Sequence, residues 1–231
     1  MRRIFLFFKP NKKIFWGSLI SGILVGTTYI PFPPWALLFC YIPLWIEIVQ
    51  NKESFFQSFF RGWITQFIFS LIGFHWIAYV SAVYGYLPWP IAGTALLLFC
   101  SFIHLYIPFA AGMTQYLRNK FNLGTLSTLL TVACLTSFGE IFWPSMFPWN
   151  LGYTLFWIKS PIAQHADTIG FLGLGFLILT MNSILAWAFL QKKVKTLVLT
   201  LLGILVTLLM LHFTGSKKAE EWSKTEIGRA H

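Results

Sequence analysis

Charged side chains are scarce in this sequence, and acidic ones are the scarcest. Its 231 residues include 7 Asp and Glu and 17 Lys and Arg, so that charged residues amount to 10%. A soluble domain carries about a quarter charged residues, and this chain therefore lacks the side chains that would cover a surface in water. The net charge of +10 does not indicate nucleic-acid binding, because the cations form short clusters between apolar runs instead of lining one helix face.

Cysteine is also rare, and the usual cysteine motifs are absent. The three cysteines all lie inside apolar runs, with no CxxC and no close pair: Cys40, Cys100 and Cys134. Because apolar surroundings suppress the reactive thiolate, we interpret these residues as buried small apolar side chains. The sequence has no GxSxG motif either, and nothing in the chain itself looks catalytic.

Metal-binding patterns are missing as well. The sequence has no HExxH motif and no His pair at i, i+4 spacing, which are the arrangements that place two ligands on one helix face. His75 and His104 fall inside apolar runs, and His165 and Asp167 lie at the start of another. We expect His75 and His104 to hydrogen-bond with neighbouring backbone or hydroxyl groups, and we predict neither a metal ion nor a cofactor.

Apolar residues are what the sequence has in abundance. Hydrophobic residues make up 57% and aromatic residues 19%, and the mean hydropathy is +0.69. Stretches close to the roughly 20 residues needed to cross a bilayer recur along the chain. They predict an all-α polytopic membrane protein with about seven transmembrane helices in one domain, residues 1–213. The predicted spans are 14–30, 35–50, 63–83, 89–114, 123–143, 166–190 and 195–213.

The distribution of the cations predicts the orientation of these spans. If the N-terminus is cytoplasmic, the connections on that side contain most of the cations: Arg2, Arg3, Lys9, Lys12, Lys13, Lys52, Arg61, Arg118, Lys120, Lys192, Lys193 and Lys195. The opposite connections before the tail contain only Lys159. Because cytoplasmic loops carry the excess of Lys and Arg, we predict a cytoplasmic N-terminus and an outer C-terminus. We interpret the basic start as a cytoplasmic leader and not as a cleaved signal peptide, because its apolar part is short and no small-residue cleavage site follows it.

Prolines and glycines predict breaks and close contacts. The segment ‘PFPPW’ (31–35) separates the first two spans, and Pro108 should kink the fourth span or mark its packing against a neighbour. The glycines of ‘GFLGLGF’ (170–176) are similar in spacing to a dinucleotide-binding fingerprint, but no strand precedes them. We expect instead that these small residues let another helix approach closely.

Two connections on the predicted outer side are aromatic and rich in proline: 81–90 and 143–161. The second contains ‘MFPWNLGY’ (146–153), in which Pro148 blocks a helix and Asn150 favours a turn. Trp149 and Tyr153 are rings that prefer the headgroup layer. We expect this loop to lie on the outer interface or to fold back over the bundle.

Glu140 ends the fifth predicted span, in ‘SFGEIFWP’. A carboxylate at mid-membrane costs about 2.5–3.5 kcal/mol on insertion scales, and one near the end of a span costs much less. Two interpretations remain open. Glu140 grips a headgroup amine or a partner loop, or it is a simple interfacial anchor.

The loop ‘MFPWNLGY’, together with ‘SPIAQHADTIGFLGLGFLILTMNSILAW’ (160–187), resembles the membrane domain of bacterial apolipoprotein N-acyltransferases. Members of that family carry a G-F-P-W-x-x-x-G-Y-like segment before the sixth span. Here Met146 replaces the first Gly, and two residues separate Trp149 from Gly152. Further segments agree with the family in order: ‘PFPPWALLF’, ‘GWITQFIFSLIGFHWIAYVS’ and the ‘GE’ before the loop. The resemblance covers about residues 14–213.

The resemblance implies an enzyme of the bacterial inner membrane. It would move an acyl chain from a phospholipid donor to the α-amino group of the S-diacylglyceryl-cysteine of a diacylated apolipoprotein acceptor. The implied reaction uses a Cys thioester, a Glu general base and a Lys that stabilises the oxyanion. In the family these belong to a periplasmic nitrilase-like domain that follows span seven and precedes an eighth span.

We therefore expect residues 214–231 to be a periplasmic linker stub of a truncated product that is inactive alone. The last residues, ‘EIGRAH’, look like one translated frame of a sequencing adaptor, and we expect them to be non-native. The chain would then contain no catalytic residue. Its candidates for contact with substrate or lipid are Trp76, Glu140, Pro148, Trp149, Asn150 and Tyr153.

Other functions remain open at this point. The loop at 146–153 is either a floor on which the acylated substrates are presented or a structural loop that docks the soluble domain. The whole chain could also be a non-enzymatic lipid-binding or scaffold protein of the membrane. A small transporter fits poorly, because transport sites need polar residues at mid-membrane and the residues in the middle of these spans are overwhelmingly apolar.

Overall fold

The computed structural model describes residues 15–29, 37–51, 53–144 and 150–224. Within these ranges the chain forms helices and no strand, which confirms the predicted all-α class. The α-helices in chain order are α1 Phe15–Tyr29, α2 Ile42–Gln50, α3 Phe55–Gly73, α4 Trp76–Val83, α5 Trp89–Phe102, α6 Tyr106–Phe121, α7 Thr125–Phe142, α8 Tyr153–Trp157, α9 Ala166–Leu190 and α10 Val194–Lys224. A 3-10 helix leads directly into α9, at Pro161–His165. The basic leader, the ‘PFPPW’ break and the final ‘EIGRAH’ lie outside the described residues.

Several of these helices are long and apolar enough to cross a bilayer, which confirms the polytopic membrane class. In the described part of the chain there are four such stretches: Trp89–Phe121, Thr125–Phe142, Pro161–Leu190 and Val194–Lys224. Helices α3 and α4 meet at an angle of 54° and count as a fifth if the bent pair is one span. Helices α1 and α2, with 15 and 9 described residues, are shorter than the roughly 20 residues of a full crossing. The number of seven and the orientation remain predictions.

Several predicted spans differ from the helices at one end, and the third and the seventh differ most. The third was expected to begin at residue 63, but α3 begins at Phe55 because Ser54 and Gln57 form a capping box there. The hydroxyl of Ser54 accepts the N–H of Gln57, and the side chain of Gln57 accepts the N–H of Ser54 at 3.0 Å. The seventh was expected to end at residue 213, whereas α10 continues to Lys224.

Helix α3 is central to the bundle, since it packs against both α1 and α6, while α7 packs against α6 and α9. The core between them contains large side chains that are almost inaccessible, among them Tyr41, Trp45, Phe69, Leu129 and Leu174. The rings of Tyr41 and Trp45 stack with their centroids 5.3 Å apart. Helix α10 differs from the others, because none of its most apolar stretch is buried. Such an apolar surface suits contact with lipid.

The fourth predicted span is broken between α5 and α6. Pro108 has no N–H to donate to the carbonyl of His104, four residues before it, and a proline ring also crowds that carbonyl. Gln66 of α3 bonds the groups at the break. Its Nε2 donates to the carbonyls of Cys100 and Ser101, both at 2.9 Å, and its Oε1 accepts the N–H of His104 at 3.0 Å. The predicted kink is therefore confirmed, and the neighbouring helix supplies the missing hydrogen bonds.

Pro108 also marks a close contact between helices, as predicted. A methyl group on Gly62 would come within 2.6 Å of the Cα atom of Pro108. The absence of a side chain at Gly62 therefore lets α3 and α6 approach backbone to backbone.

Buried charges join the ends of α1, α2 and α3, and we name this group the Arg61 cluster: Glu47, Glu53 and Arg61. Arg61 is only 4% exposed. Its Nη1 lies 3.1 Å from Glu47, and its Nε and Nη2 both contact Glu53. Glu47 also accepts the backbone N–H groups of Gly17 at 2.7 Å and Ser18 at 3.1 Å. These belong to the first turn of α1, where N–H groups lack acceptors within the helix. The assignment of Arg61 to a loop is therefore wrong, since it lies inside α3.

Candidate functional site

The described part of the loop between α7 and α9, residues 150–165, packs against the bundle, in agreement with the second of the two arrangements expected for the loop. In its described part, Asn150 is 7% and Leu151 is 1% exposed. Leu155 and Ile162 belong to the main hydrophobic core. Residues 150–165 are therefore partly packed into the protein, while the side chains of Phe156 and Trp157 stay exposed.

Two glycines bring the loop backbone against the backbone of α9. A Cβ atom on Gly152 would overlap the carbonyl oxygen of Phe171 and come within 3.0 Å of the nitrogen of Gly175. Just before this contact, Gly170 adopts a φ of +68° and kinks α9, a conformation that favours glycine. The prediction that these glycines admit a neighbouring helix therefore needs correction at Gly175, because the segment that approaches it is a loop.

Asn150 shapes the turn by which the loop reaches this contact. Its Oδ1 accepts the N–H of Gly152 at 3.0 Å, the local side-chain-to-backbone bond that makes Asn a turn former. The same oxygen lies 3.9 Å from where a Cβ atom of Gly175 would stand. The amide of Asn150 thus faces the protein in this conformation.

The carboxyl group of Glu140, in the last turn of α7, reaches the same place. Its Oε2 lies 3.4 Å from the position of a Cβ atom on Gly175, and the backbone of Leu151 hydrogen-bonds with the carboxyl group. Oε2 is buried and has no hydrogen-bond partner among the described residues. Of the two interpretations of Glu140, contact with a partner loop agrees with this geometry, whereas an anchor in interfacial water does not.

We name this place the loop junction: Glu140, Asn150, Gly152 and Gly175. Tyr153 follows it at the start of α8, where its ring stacks on Phe171 at 4.4 Å between centroids. Trp76 lies elsewhere, as the first residue of α4, and packs at 6.4 Å from the ring of Phe74. The structure therefore brings Glu140, Asn150 and Tyr153 together and places Trp76 at the α3–α4 bend.

Two further candidates, Pro148 and Trp149, lie outside the described residues. Their contact with substrate or lipid stays a prediction.

The histidines hydrogen-bond as expected. Nδ1 of His104 lies 2.9 Å from the hydroxyl of Ser70, and Nδ1 of His75 lies 2.8 Å from the carbonyl of Ile72. His165 likewise contacts the carbonyl of Leu211 at 3.0 Å. No group of three His, Cys, Asp or Glu within the described ranges is placed to hold a metal ion.

The cysteines are only partly as predicted. Cys40 and Cys100 are fully buried. Cys134 is exposed, so the prediction of a buried side chain is wrong there, because this residue lies on an uncovered face of α7.

One buried residue that sequence reasoning did not single out joins the loop junction to the rest of the bundle. Asn182 of α9 is fully buried, and its Nδ2 donates to the carbonyl of Leu37 at 2.7 Å while its Oδ1 accepts the N–H of Tyr41 at 3.1 Å. A polar amide within an apolar helix is costly unless it is hydrogen-bonded. The presence of Asn182 in such a helix could therefore have indicated a buried hydrogen bond. Helix α9 thus holds the loop at one point and the turn before α2 at another.

These observations define a polytopic helical membrane protein in which a loop is docked on small residues of a membrane helix. The chain belongs to the apolipoprotein N-acyltransferase family, because the family model for the apolipoprotein N-acyltransferase N-terminal domain matches residues 21–184. This confirms the resemblance found in the sequence.

Individual relatives agree with this assignment. The chain is 46% identical over 225 residues to the apolipoprotein N-acyltransferase of Bdellovibrio bacteriovorus, an alignment that covers 97% of this chain and 41% of the relative. It is 29% identical over 206 residues to the enzyme of that name from Geobacter metallireducens, covering 83% of this chain and 38% of the relative. The apolipoprotein N-acyltransferase of Chlorobaculum tepidum is 26% identical over 192 residues, an alignment that covers 78% of this chain and 33% of the relative. The chain therefore spans less than half the length of these curated relatives.

Proposed function

We propose that this chain forms the membrane part of an enzyme that N-acylates lipoproteins in the bacterial inner membrane. The observation that carries the proposal is the 46% identity to a protein named apolipoprotein N-acyltransferase, which extends over 97% of this chain. The acyl donor would be a phospholipid, and the acceptor would be the α-amino group of a diacylated lipoprotein.

The reaction implied by the family has two transfers. In the first, the Glu base takes the thiol proton and the Cys sulfur attacks the ester carbonyl of the phospholipid. The ester C–O bond breaks, so that a thioester forms and the lysophospholipid leaves with that proton. In the second, the amine nitrogen of the lipoprotein attacks the thioester, so that an amide forms and the thiol returns, with the Glu base taking the amine proton. We assign none of these roles to this chain, because the resemblance places the reacting groups on a separate nitrilase-like domain. Cys40 and Cys100 are buried, and Cys134, although exposed, lies within the apolar helix α7.

The loop junction supports a part for this chain in positioning the substrates. The loop from Asn150 to Tyr153 is fixed by close backbone contact with α9 and by the carboxyl group of Glu140. A surface that is held rigidly can orient acyl chains and headgroups without the cost of ordering it at each turnover. We propose that Glu140 and Asn150 position this loop and that Tyr153, with the neighbouring Trp149, presents the surface.

A chimaera tests the proposed function. In it, the 225 matched residues of the Bdellovibrio relative are replaced by the matching residues of this chain. We expect the chimaera to N-acylate a diacylated lipoprotein in cells depleted of their own enzyme, as measured by the mass of the lipoprotein N-terminal peptide. A chimaera that inserts, is extracted as a monodisperse protein and yet transfers no acyl chain would overturn the proposal.

Glu140→Ala and Glu140→Gln in the chimaera should differ in activity. Gln keeps an oxygen that accepts the N–H of Leu151, whereas Ala leaves this buried donor unpaired at a cost of about 1–3 kcal/mol. We expect Glu140→Gln to retain most of the acyl transfer and Glu140→Ala to lose about tenfold, with faster hydrogen exchange of the loop backbone.

The same pair of changes at Glu221, an exposed residue of α10, serves as the control and should leave the rate unchanged. Equal losses for Glu140→Gln and Glu140→Ala, with unchanged hydrogen exchange, would contradict the positioning role. They would favour direct contact between the carboxylate and a substrate amine.

A further inference from the structure

A groove lies at the opposite end of α9 from the loop junction, where the chain turns from α9 into α10. It has a volume of about 320 Å³, and its lining includes Gln50 of α2 together with Leu190, Lys192, Lys193, Val194 and Leu197. This volume is at the lower end of the range of about 300–1,000 Å³ that ligand sites occupy. The groove is separated from Gly175 by about 22 Å along the axis of α9.

The walls of the groove are mostly apolar, but its rim carries two positive charges. Leu190, Val194 and Leu197 form an apolar side. Lys192 and Lys193 are both exposed, and neither forms an ion pair with a described residue. The nearest elements do not supply a free counter-charge, because Glu47 at the end of α2 is paired with Arg61. An apolar slot with two unpaired cations at its mouth is complementary to an anionic amphiphile.

The backbone conformation also favours the binding of an anion at this turn. Lys192 adopts a φ of +54°, a conformation uncommon for a residue with a side chain, and its N–H is held by the carbonyl of Phe189 at 3.2 Å. The backbone of the turn thus determines the direction of the Cα–Cβ bond of Lys192. Lys193 precedes α10, whose first N–H groups lack acceptors within the helix and make that end positive.

We propose that this groove binds an anionic phospholipid. The phosphate lies between Lys192 and Lys193, and an acyl chain lies along Leu190, Val194 and Leu197. The charge bias of the connections predicts that this end of the bundle faces the cytoplasm, where basic pockets between membrane helices bind anionic headgroups. The site is independent of the proposed acyl transfer, which concerns the other end of α9.

The test compares lipid retention by the full chain and its variants. Protein purified in a neutral detergent is mixed with phosphatidylglycerol or with phosphatidylcholine of the same acyl chains, and retained lipid is counted by native mass spectrometry. We expect the parent to retain phosphatidylglycerol preferentially and the double variant Lys192→Gln/Lys193→Gln to lose about tenfold or more of that retention. The matched control Lys159→Gln/Lys217→Gln, which removes two exposed charges elsewhere, should behave as the parent.

A second variant distinguishes lipid binding in the groove from electrostatic association with the surface lysines alone. Leu197→Trp fills the apolar side and leaves both lysines in place, so it should also lose the preference for phosphatidylglycerol. Retention by Leu197→Trp at the level of the parent would overturn the groove and leave only electrostatic association. Retention by Lys192→Gln/Lys193→Gln at the level of the parent would overturn the proposal as a whole.

Discussion

Replacing Arg61 with Ala is expected to lower the thermal stability of the protein by about 10 °C or more, and the reason is the burial of its partners. The side chain of Arg61 is 5% exposed, and those of Glu47 and Glu53 are 11% and 10% exposed. Removing the cation leaves two carboxylates close together in a medium of low dielectric. Breaking a buried ion pair in this way costs about 3–5 kcal/mol, which corresponds to a melting shift of this size in a chain of this length.

Thermal unfolding of the purified protein in detergent measures this effect. Lys120→Ala is the matched control, because Lys120 is an exposed cation whose ammonium lies 5.7 Å from the ring of Tyr116, and it should change the melting temperature by little. A triple variant, Arg61→Met with Glu47→Gln and Glu53→Gln, should recover most of the loss, because it removes the charges together with their partner. A melting temperature of Arg61→Ala equal to that of the parent would contradict the structural role of the Arg61 cluster.

Gly152→Ala is expected to reduce acyl transfer by the chimaera at least tenfold. Gly152 has φ −64° and ψ −29°, angles that alanine adopts freely, so the change adds no backbone strain. The added methyl group alone would overlap the carbonyl oxygen of Phe171, and either the loop or α9 has to move. A displacement of about 1 Å in a positioned surface can cost a hundredfold in rate, so the expected loss does not require the protein to unfold.

The rate of acyl transfer and the hydrogen exchange of residues 150–155 measure this effect together. Gly203→Ala is the matched control, because nothing lies within 4 Å of a Cβ atom at that glycine of α10. It should be neutral, or stabilising by up to about 1 kcal/mol, since Ala favours a helix over Gly. If Gly152→Ala transferred acyl chains at the parent rate with unchanged exchange, the close contact between the loop and α9 would have no part in function.

Helix positions could be read from the sequence because a bilayer demands long apolar runs and each run is local. The sixth predicted span, 166–190, coincides with α9, and the fifth, 123–143, differs from α7 by a few residues. The beginning of α3 was missed because Arg61 was interpreted as a loop cation. Its surroundings depend on Glu53, eight residues earlier, and on Glu47 of α2, and the sequence does not show that these carboxylates turn toward a buried cation.

The proximity of two candidate residues follows from local features in the same way, whereas their contact with substrate or lipid stays a prediction. The unusual composition around Asn150 and the acidic residue at Glu140 are local features, and the structure places both at the loop junction. That Glu140 turns inward could not be predicted, because it depends on Gly175 leaving space beside α9. The role of Gln66 was not predicted, because its side chain bonds backbone groups at a helix break that is 34 residues away along the chain.

The hydrogen bonds of α3 also determine where this chain can change in length. Along one stretch of α3, Trp63, Gln66 and Ser70 bond groups at the break between α5 and α6, and Thr65 donates to the carbonyl of Ser18 in α1 at 2.9 Å. One inserted or deleted residue would rotate every later position by about 100° and would separate these side chains from their partners at once. In α10 an insertion before Leu211 would displace the carbonyl that His165 contacts at 3.0 Å, but it would disturb fewer side-chain hydrogen bonds than one in α3. Natural variation in length should therefore be excluded from this stretch of α3.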